Sequence, residues 1–487
     1  MWKGPASTKG TEERMGTSNR RMGSPLAQPM VNTQRLLMIV LIILLCIIIY
    51  SATENSTSWG VFYWINSKDR ATGSKLSKVQ GACGDPQVDL SHVHLDNFCG
   101  NWQNDYTARH QLQRQQLTGV IEKGLQDGVT GTPLPDWRKK IPEDAFPNIL
   151  IFVCDRESDG LDCGGMGDTL LGATSAFLYA ILSKRALFLS WPKYESSFLP
   201  GEINWKLPKG FVLPQFVADL TEGRDASGDA TVERHGRDVV LIDYFGRGSI
   251  PSIEDLDVQT AGAKIVVVRQ NKGYVVPWLL ADAGLQSTLG VQVSQAWGCL
   301  NRFLLWANPM PTALDFVALG DQIESQDALS ICVHVRLGDE EIHANQSLYK
   351  DSEHESLVDA IMESVEILEK YWQTEACSST NVFFFSSSNH LKEIAAARYK
   401  NVITTPVRPV HTGLLGVSRL SDVQMTAREW SLLSKCKMYL LTQSGFSATA
   451  VARGLHMDKI FTISLSEKLV PWRPAHILDL ATSWSGL

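Results

Sequence analysis

From residue 148 onward the chain alternates short apolar runs with stretches of helical period, and that alternation leaves it few folds. Ile149 to Cys154 predicts a buried strand, Asp168 to Ser183 a helix, and Ala186 to Trp191 a second strand. Val239 to Tyr244 and Lys264 to Arg269 predict further strands. The later part repeats the rhythm, with strands at Ile331 to Arg336, Val382 to Phe385, Asn401 to Thr405, Met438 to Thr442 and Lys459 to Ile463. Helices are expected between them at Glu353 to Trp372, Leu391 to Tyr399, Gln424 to Ser434 and Ser447 to Leu455. Strands separated by helices make a mostly parallel sheet with helices on both faces. The expected fold class is therefore α/β, with two Rossmann-like domains facing a cleft, at 146–325 and 326–487. Much of 193–325 carries no clear period, and Glu222 to Arg237 reads as polar and exposed.

Ahead of these domains the run Leu36 to Tyr50 contains no charged residue, and Arg35 bounds it. With Ser51, Ala52 and Thr53 it comes close to the ~20 residues that span a bilayer, and with a long charged region before it and no clear small-x-small site after it, 36–53 reads as a transmembrane signal anchor in preference to a cleaved signal peptide. The tail 1–35 carries Lys3, Lys9, Arg14, Arg20 and Arg21 against Glu12 and Glu13, so the positive-inside rule keeps it cytosolic. Everything after the anchor is then lumenal, and 54–145 is a stem merging into the catalytic region. Within it, Leu112, Leu117, Ile121 and Leu125 predict a helix over Asp105 to Leu125. Its apolar side either packs on the following domain or pairs with a second copy as a homodimer.

An oxidising lumen makes disulfides the natural use for Cys83, Cys99, Cys154, Cys163, Cys299, Cys332, Cys377 and Cys436. No CxxC pair or Cys/His cluster has zinc spacing, and His92-Val93-His94 with Asp96 reads as a surface loop. Asn55-Ser56-Thr57 and Asn345-Gln346-Ser347 are N-glycosylation sequons. A net charge of −7 gives no field that would draw the chain to nucleic acid.

Candidate chemistry sits where strands end. Gly164, Gly165 and Gly167 either let backbone approach a ligand at a helix start, where free N–H groups meet anions, or simply make a tight turn with no ligand. His334 and Arg336 share one face of a strand, Gly338 allows a turn, and Asp339 steadies the arginine or the loop. A guanidinium there suits a diphosphate. Thr442, Ser444, Gly445, Phe446 and Ser447 form another strand-to-helix turn, which reads equally as a phosphate site or as a plain serine cap. Ser386, with Ser387 and Ser388, contacts a ribose or base, or caps the next helix. Asp255-Leu256-Asp257 has the form of a metal-binding pair but reads as a solvated turn.

The ordered set CGGMGDTLLGATSAFLYAILSKRALFLSW (163 to 191), FLPGEINWKLP (198 to 208), WGCLNRFLLWANP (297 to 309), HVRLGD (334 to 339) and EWSLLSKCKMYLLTQSGFSATAVARGL (429 to 455) resembles the plant xyloglucan-type α-1,2-fucosyltransferase family. More broadly it is similar to the GDP-fucose-dependent transferases of GT-B fold. That resemblance implies a Golgi type II membrane glycoprotein moving fucose from GDP-fucose to a galactose-containing glycan of cell wall polysaccharide type, with inversion and no metal or other cofactor. By position it implies that Arg336 binds the diphosphate and that Gly164, Gly165 and Gly167 shape the loop near donor and acceptor. His334, Ser386, Glu429, Thr442 and Ser447 fall to the donor site, and Asp168 is a candidate base or a loop-stabilising group. Asp168 stands where related loops commonly have Asn, and no cysteine follows Cys436. Another nucleotide sugar or linkage, or a catalytically silent glycan-binding scaffold, stay open on the sequence alone.

Overall fold

The computed structural model describes residues 99–126, 146–154, 164–211, 213, 231–235, 237–244, 251–308, 314–325, 327–337, 353–372, 379–407, 412, 419–455, 459–464 and 470–475. The chain divides into two units, of which Met1–Val79 lies wholly outside these residues, so the anchor at 36–53 and the sequon at Asn55 do too. The sequon at Asn345 also falls outside them. Among the described residues no helix is long and apolar enough to cross a membrane.

Among the described residues the unit Gln80–Leu487 holds two large sheets, each with its own helices, and a small antiparallel two-stranded sheet. The first lobe contains α1 (Trp102–Gln126), β1 (Ile149–Val153), α2 (Met166–Leu182), β2 (Ala186–Ser190), α3 (Pro192–Glu195), β3 (Phe198–Pro200), β4 (Thr231–His235), β5 (Val239–Asp243), α4 (Ile253–Thr260) and β6 (Ile265–Arg269). After these come α5 (Val275–Ala281), α6 (Ala283–Leu289), α7 (Val293–Leu304) and β7 (Leu305–Ala307). The second lobe contains α8 (Leu314–Glu324), β8 (Ala328–Val335), α9 (His354–Trp372), β9 (Ser379–Ser386), α10 (Asn389–Arg398), β10 (Val402–Thr404), α11 (Leu420–Leu433), β11 (Met438–Leu441), α12 (Gly445–Gly454), β12 (Ile460–Ser464) and β13 (Val470–Ala475).

The first sheet has the order β2-β1-β6-β5-β4 and the second β10-β9-β8-β11-β12-β13. All pairings are parallel except the outer ones of β4 on β5 and β13 on β12. The central strands ILIFV and ALSICVHV are buried at every position, which is why they read as continuous apolar runs rather than alternating ones. The structure corrects three expectations around them. Part of the polar segment from Glu222 to Arg237 is the edge strand β4, whose Arg234 is exposed while Val232 is half-buried. Asp255-Leu256-Asp257 is helical within α4, with Ser252 accepting from the Asp255 N–H at 3.0 Å and Asp257 accepting from the Tyr179 hydroxyl at 3.2 Å. Leu112, expected on the packed side of α1, is exposed; the buried stripe instead starts with Trp102, Tyr106 and His110 and continues through Leu117 and Ile121.

That stripe solves an edge problem. Strand β2 borders its sheet, and a bare edge offers unpaired N–H and C=O groups to other chains. Tyr106 Oη accepts from the Leu187 N–H at 3.0 Å, and His110 Nε2 lies 2.9 Å from the Leu187 carbonyl. Burial pulls the His110 pKa down to about 4, so the ring is neutral with Nε2 as the protonated nitrogen. Cys99–Cys299 then ties the start of α1 to α7, and Cys332–Cys436 ties β8 to the approach to β11. Cys154 is disulfide-bonded as well.

One apolar cluster runs from α1 and β1 of the first lobe to α11, β11 and α12 of the second, so the lobes share a core. Across the seam, Arg453 donates to Asn301 Oδ1 at 2.7 Å, and Arg302 donates to the carbonyls of Arg453 and Gly454 at 2.6 and 3.3 Å, closing the C-terminal end of α12. Helices α7 and α12 cross so closely that a Cβ on Gly298 would sit 2.1 Å from the Ala452 carbonyl oxygen. Gly298→Ala sets a helix-propensity gain of ~1 kcal/mol against that overlap, and overpacking of ~1–3 kcal/mol or more should win. We expect net destabilisation of about 1–2 kcal/mol in urea unfolding; an unchanged or raised midpoint would mean the crossing is looser than described.

Candidate active site

In each sheet the strand order reverses beside a central strand. The chain goes from β1 through α2 to β2 on one side and later places β6 on the other. In the second sheet β9 and β11 flank β8 in the same way. Ligands of open α/β sheets bind outside the carboxyl ends of the strands at such switch points. Three segments singled out in the sequence lie there: Gly164 to Gly167 at the start of α2, Arg336 after β8, and Thr442 to Ser447 after β11.

The first and third of these touch. A Cβ on Gly167 would fall 2.5 Å from the Gly445 carbonyl carbon and 2.7 Å from the Phe446 nitrogen, so the N-terminal turns of α2 and α12 pack backbone to backbone. Gly164 turns the chain into α2 with φ +87°, a conformation that favours glycine. Gly165 is the N-cap, and its N–H donates to Asp168 Oδ2 at 3.3 Å. The next free amide, Met166 N–H, donates to Thr412 Oγ1 of the second lobe at 2.8 Å. Opposite, Ser444 caps α12 by accepting from the Phe446 N–H at 3.2 Å.

Arg336 emerges beside this junction from a fixed backbone. Its N–H donates to Thr442 Oγ1 at 2.7 Å, the Thr442 N–H donates to the His334 carbonyl at 3.0 Å, and the Leu337 N–H donates to Ser387 Oγ at 3.1 Å. Ser386 Oγ donates to the Val335 carbonyl at 3.0 Å, and Ser447 Oγ donates to the Ser444 carbonyl at 3.1 Å. The hydroxyls of Thr442, Ser386, Ser444 and Ser447 therefore all have partners within the protein. His334 stacks on Phe446 with ring centroids 5.3 Å apart, which turns that face of β8 toward α12. By the two-residue period of a strand, half-buried Arg336 shares the face. Burial first, and then the charge of Arg336, pull the His334 pKa down to about 3, so the imidazole is neutral.

Not every candidate joins this group. Glu429 is buried beyond the end of β10, two strands from β8, where it accepts from the Thr405 hydroxyl and pairs with Lys392 at 3.7 Å. Burial raises the Glu429 pKa against the pull of Lys392, and lowers that of Lys392. Gly338 and Asp339 lie outside the described residues. Two contributors carry no sequence signal: Thr412, 246 residues from the amide it accepts from, and Lys193, whose ammonium holds the Thr412 carbonyl. Among the described residues no group of three or more His, Cys, Asp or Glu is placed to hold a metal ion.

No protein-family profile and no curated protein sequence matches the chain. Among solved structures it is similar to a point mutant of Arabidopsis thaliana FUT1 in complex with GDP, at 16% identity over 74% of this chain and 78% of that one, with a TM-score of 0.49. It is also similar to NodZ α-1,6-fucosyltransferase soaked with GDP-fucose, at 15% identity over 67% of this chain and 99% of that one, with a TM-score of 0.38. NodZ from Bradyrhizobium gives 14% identity over the same shares, with a TM-score of 0.38.

The neutral His334 has a consequence for stability. Its folded pKa of about 3 lies below the value of ~6.5 in an unfolded chain, so between those limits the unfolded state binds the extra proton. The stability this contributes is complete above pH ~6.5 and drains as pH falls toward the folded pKa, with a slope of up to ~1.4 kcal/mol per pH unit. His334→Phe should flatten the fall in unfolding free energy between pH 6.5 and 4 by about one proton's worth. His110, whose shift has the same sign, keeps its share in the variant. An unaltered slope in urea unfolding would refute the assignment.

Proposed function

We propose that this chain is a Golgi type II membrane glycosyltransferase that moves fucose from GDP-fucose to a glycan, at the 2-hydroxyl of a galactose, by inverting and metal-independent displacement. The observation that carries the reading is the contact of Gly167 with Gly445 and Phe446, which sets two helix N-termini, one from each lobe, beside Arg336 at a switch point. In a single displacement the acceptor hydroxyl oxygen bonds to the anomeric carbon and gives up its proton to solvent, while the bond from that carbon to the diphosphate oxygen breaks and positive charge grows on the sugar ring. Negative charge grows on the departing nucleotide. A guanidinium and the positive ends of two helices, held in place beforehand, stabilise that charge with no rearrangement at the moment of reaction. The order of the motifs from 163 to 455 supports fucose and GDP as the transferred and leaving groups.

The protein's hydroxyls aim and fix the machinery in this reading. Thr442 and Ser387 hold the backbone from which Arg336 projects. Asp168 fixes the turn at Gly165, and that hydrogen bond is the role we assign it in preference to general base. Asp168→Asn keeps an acceptor for the Gly165 amide but removes a proton acceptor of useful basicity. Transfer should stay within about tenfold of the parent, whereas loss of the ~10²–10⁴-fold typical of general-base catalysis would make Asp168 the base.

Arg336→Ala should lower kcat/KM for GDP-fucose by ~10²-fold or more, with circular dichroism and Golgi residence unchanged. Turnover in the parent should persist in excess EDTA. Unimpaired transfer by the variant would remove Arg336 from the mechanism, and activity restored only by manganese would remove the metal-free route.

A further inference from the structure

We infer that the first lobe carries a noncatalytic cavity that binds a neutral oligosaccharide, between α1 and the turn after β3. The space measures about 520 Å³, within the ~300–1,000 Å³ of small-molecule sites. It lies on the flank of the first sheet against α1, which covers the edge strand β2, and not at the strand ends where Arg336 and the two helix starts meet.

One wall is a stripe of α1. Thr107, Gln111, Gln115, Thr118 and Glu122 follow one another at helical spacing and so share a face. The other wall is Glu202 to Asn204. The walls are fastened together, because the guanidinium of Arg114 donates to the Asn204 carbonyl at 3.0 Å and also to the Lys206 carbonyl. His110 fixes the same helix to β2. Just over one turn beyond Arg114 comes Gly119, inside a 25-residue helix where glycine costs ~1 kcal/mol relative to alanine. Packing does not demand it, since a Cβ there would meet nothing within 4 Å. Gly119 is exposed and lines the space, so a large side chain there would project into or over it.

The lining selects the ligand. Sites for apolar small molecules are mostly hydrophobic, but here Ile203 is the sole aliphatic side chain. Gln111 and Gln115 each offer donors and an acceptor, the pairing that sugar hydroxyls return. Glu122 and Glu202 outnumber Arg114, whose Nη1 is engaged by two backbone carbonyls, so the charge balance of the lining disfavours an anion such as a nucleotide diphosphate or a sulfated glycan. Assigning the bound sugars to the chain of the acceptor rests on the proposed transfer reaction; the binding itself does not.

The test uses the full chain in detergent micelles without nucleotide, titrated calorimetrically with a galactosylated xyloglucan oligosaccharide and with a heparin oligosaccharide of equal length. The parent should bind the neutral ligand in preference to heparin. Gly119→Phe, which fills the space, and Gln111→Ala with Gln115→Ala, which strips exposed amides, should each weaken neutral binding by about tenfold or more, the scale of one lost hydrogen bond. The paired glutamine variant keeps the test decisive if Gly119→Phe fails to fold. Absence of neutral binding by the parent, affinity unmoved by folded variants, or preference for heparin would each overturn the inference. If binding behaves as expected while no fucose is transferred to any galactose-terminated glycan, the cavity stands and the transfer reading falls.

Discussion

Two helices begin at the same place with like poles together, and much of the molecule is arranged around that fact. The first turns of α2 and α12 meet at Gly167 and Gly445, and each helix start carries roughly half a positive charge in unsatisfied N–H groups. Such ends repel unless something negative lies near. The protein meets part of the demand itself: Asp168 brings a carboxylate to Gly165, Thr412 a hydroxyl to Met166, and Ser444 a hydroxyl to Phe446. The remaining positive potential, augmented by Arg336 next to the Thr442 hydroxyl, favours an anion at the junction.

Holding like poles in contact requires firm support behind them, and the seam supplies it. Arg453 is buried against Trp430 and Trp306 with its guanidinium on Asn301, and Asn301 in turn reaches Thr174 at 3.3 Å inside α2. Burial and the nearby charge of Arg302 lower the Arg453 pKa, so the arginine is held at a cost that its hydrogen bond and the two indole faces offset. The shared apolar cluster and the α7–α12 crossing at Gly298 surround these polar links. Each lobe thereby presents the carboxyl end of its sheet to the other through α2 and α12.

The sheets were legible because fully buried parallel strands leave unbroken apolar runs, as in IVVVR of β6 and MYLL of β11. The edges were not. Strand β4 is THR-to-HIS polar sequence with one flank in solvent, and β3 and β7 are three residues each, paired only with one another. The stripe on α1 was misread for a different reason: its first half buries Trp102, Tyr106 and His110, whose polar atoms bond to backbone, so aliphatic period alone picked out the exposed Leu112. At the junction, the placing of the glycines and the arginine was readable because close backbone approach and strand-end position restrict residue type. Hydroxyls were ambiguous, since Ser386 or Ser447 at a strand end looks the same whether it donates to a ligand or to a carbonyl of its own turn. Thr412 had no signal at all, because its partner amide is set by the meeting of lobes rather than by neighbouring sequence.

That ambiguity resolves into a division of labour. Hydroxyls are weak ligands for a strongly hydrated anion but good fasteners for loops, where one donor and two lone pairs satisfy amides that a tight turn leaves orphaned. Here Thr442, Ser387 and Ser444 serve as fasteners, and a neutral His334 stacked on Phe446 fills the space behind them without adding charge. Net charge at the junction is thus left to the Arg336 guanidinium, the Lys193 ammonium on the Thr412 carbonyl, the Asp168 carboxylate and two helix starts, and the fasteners fix the backbone that carries them. Because those positions come from backbone held on several sides, the potential they create exists before any ligand arrives, which is the condition under which electrostatics lowers a barrier rather than merely tightening binding.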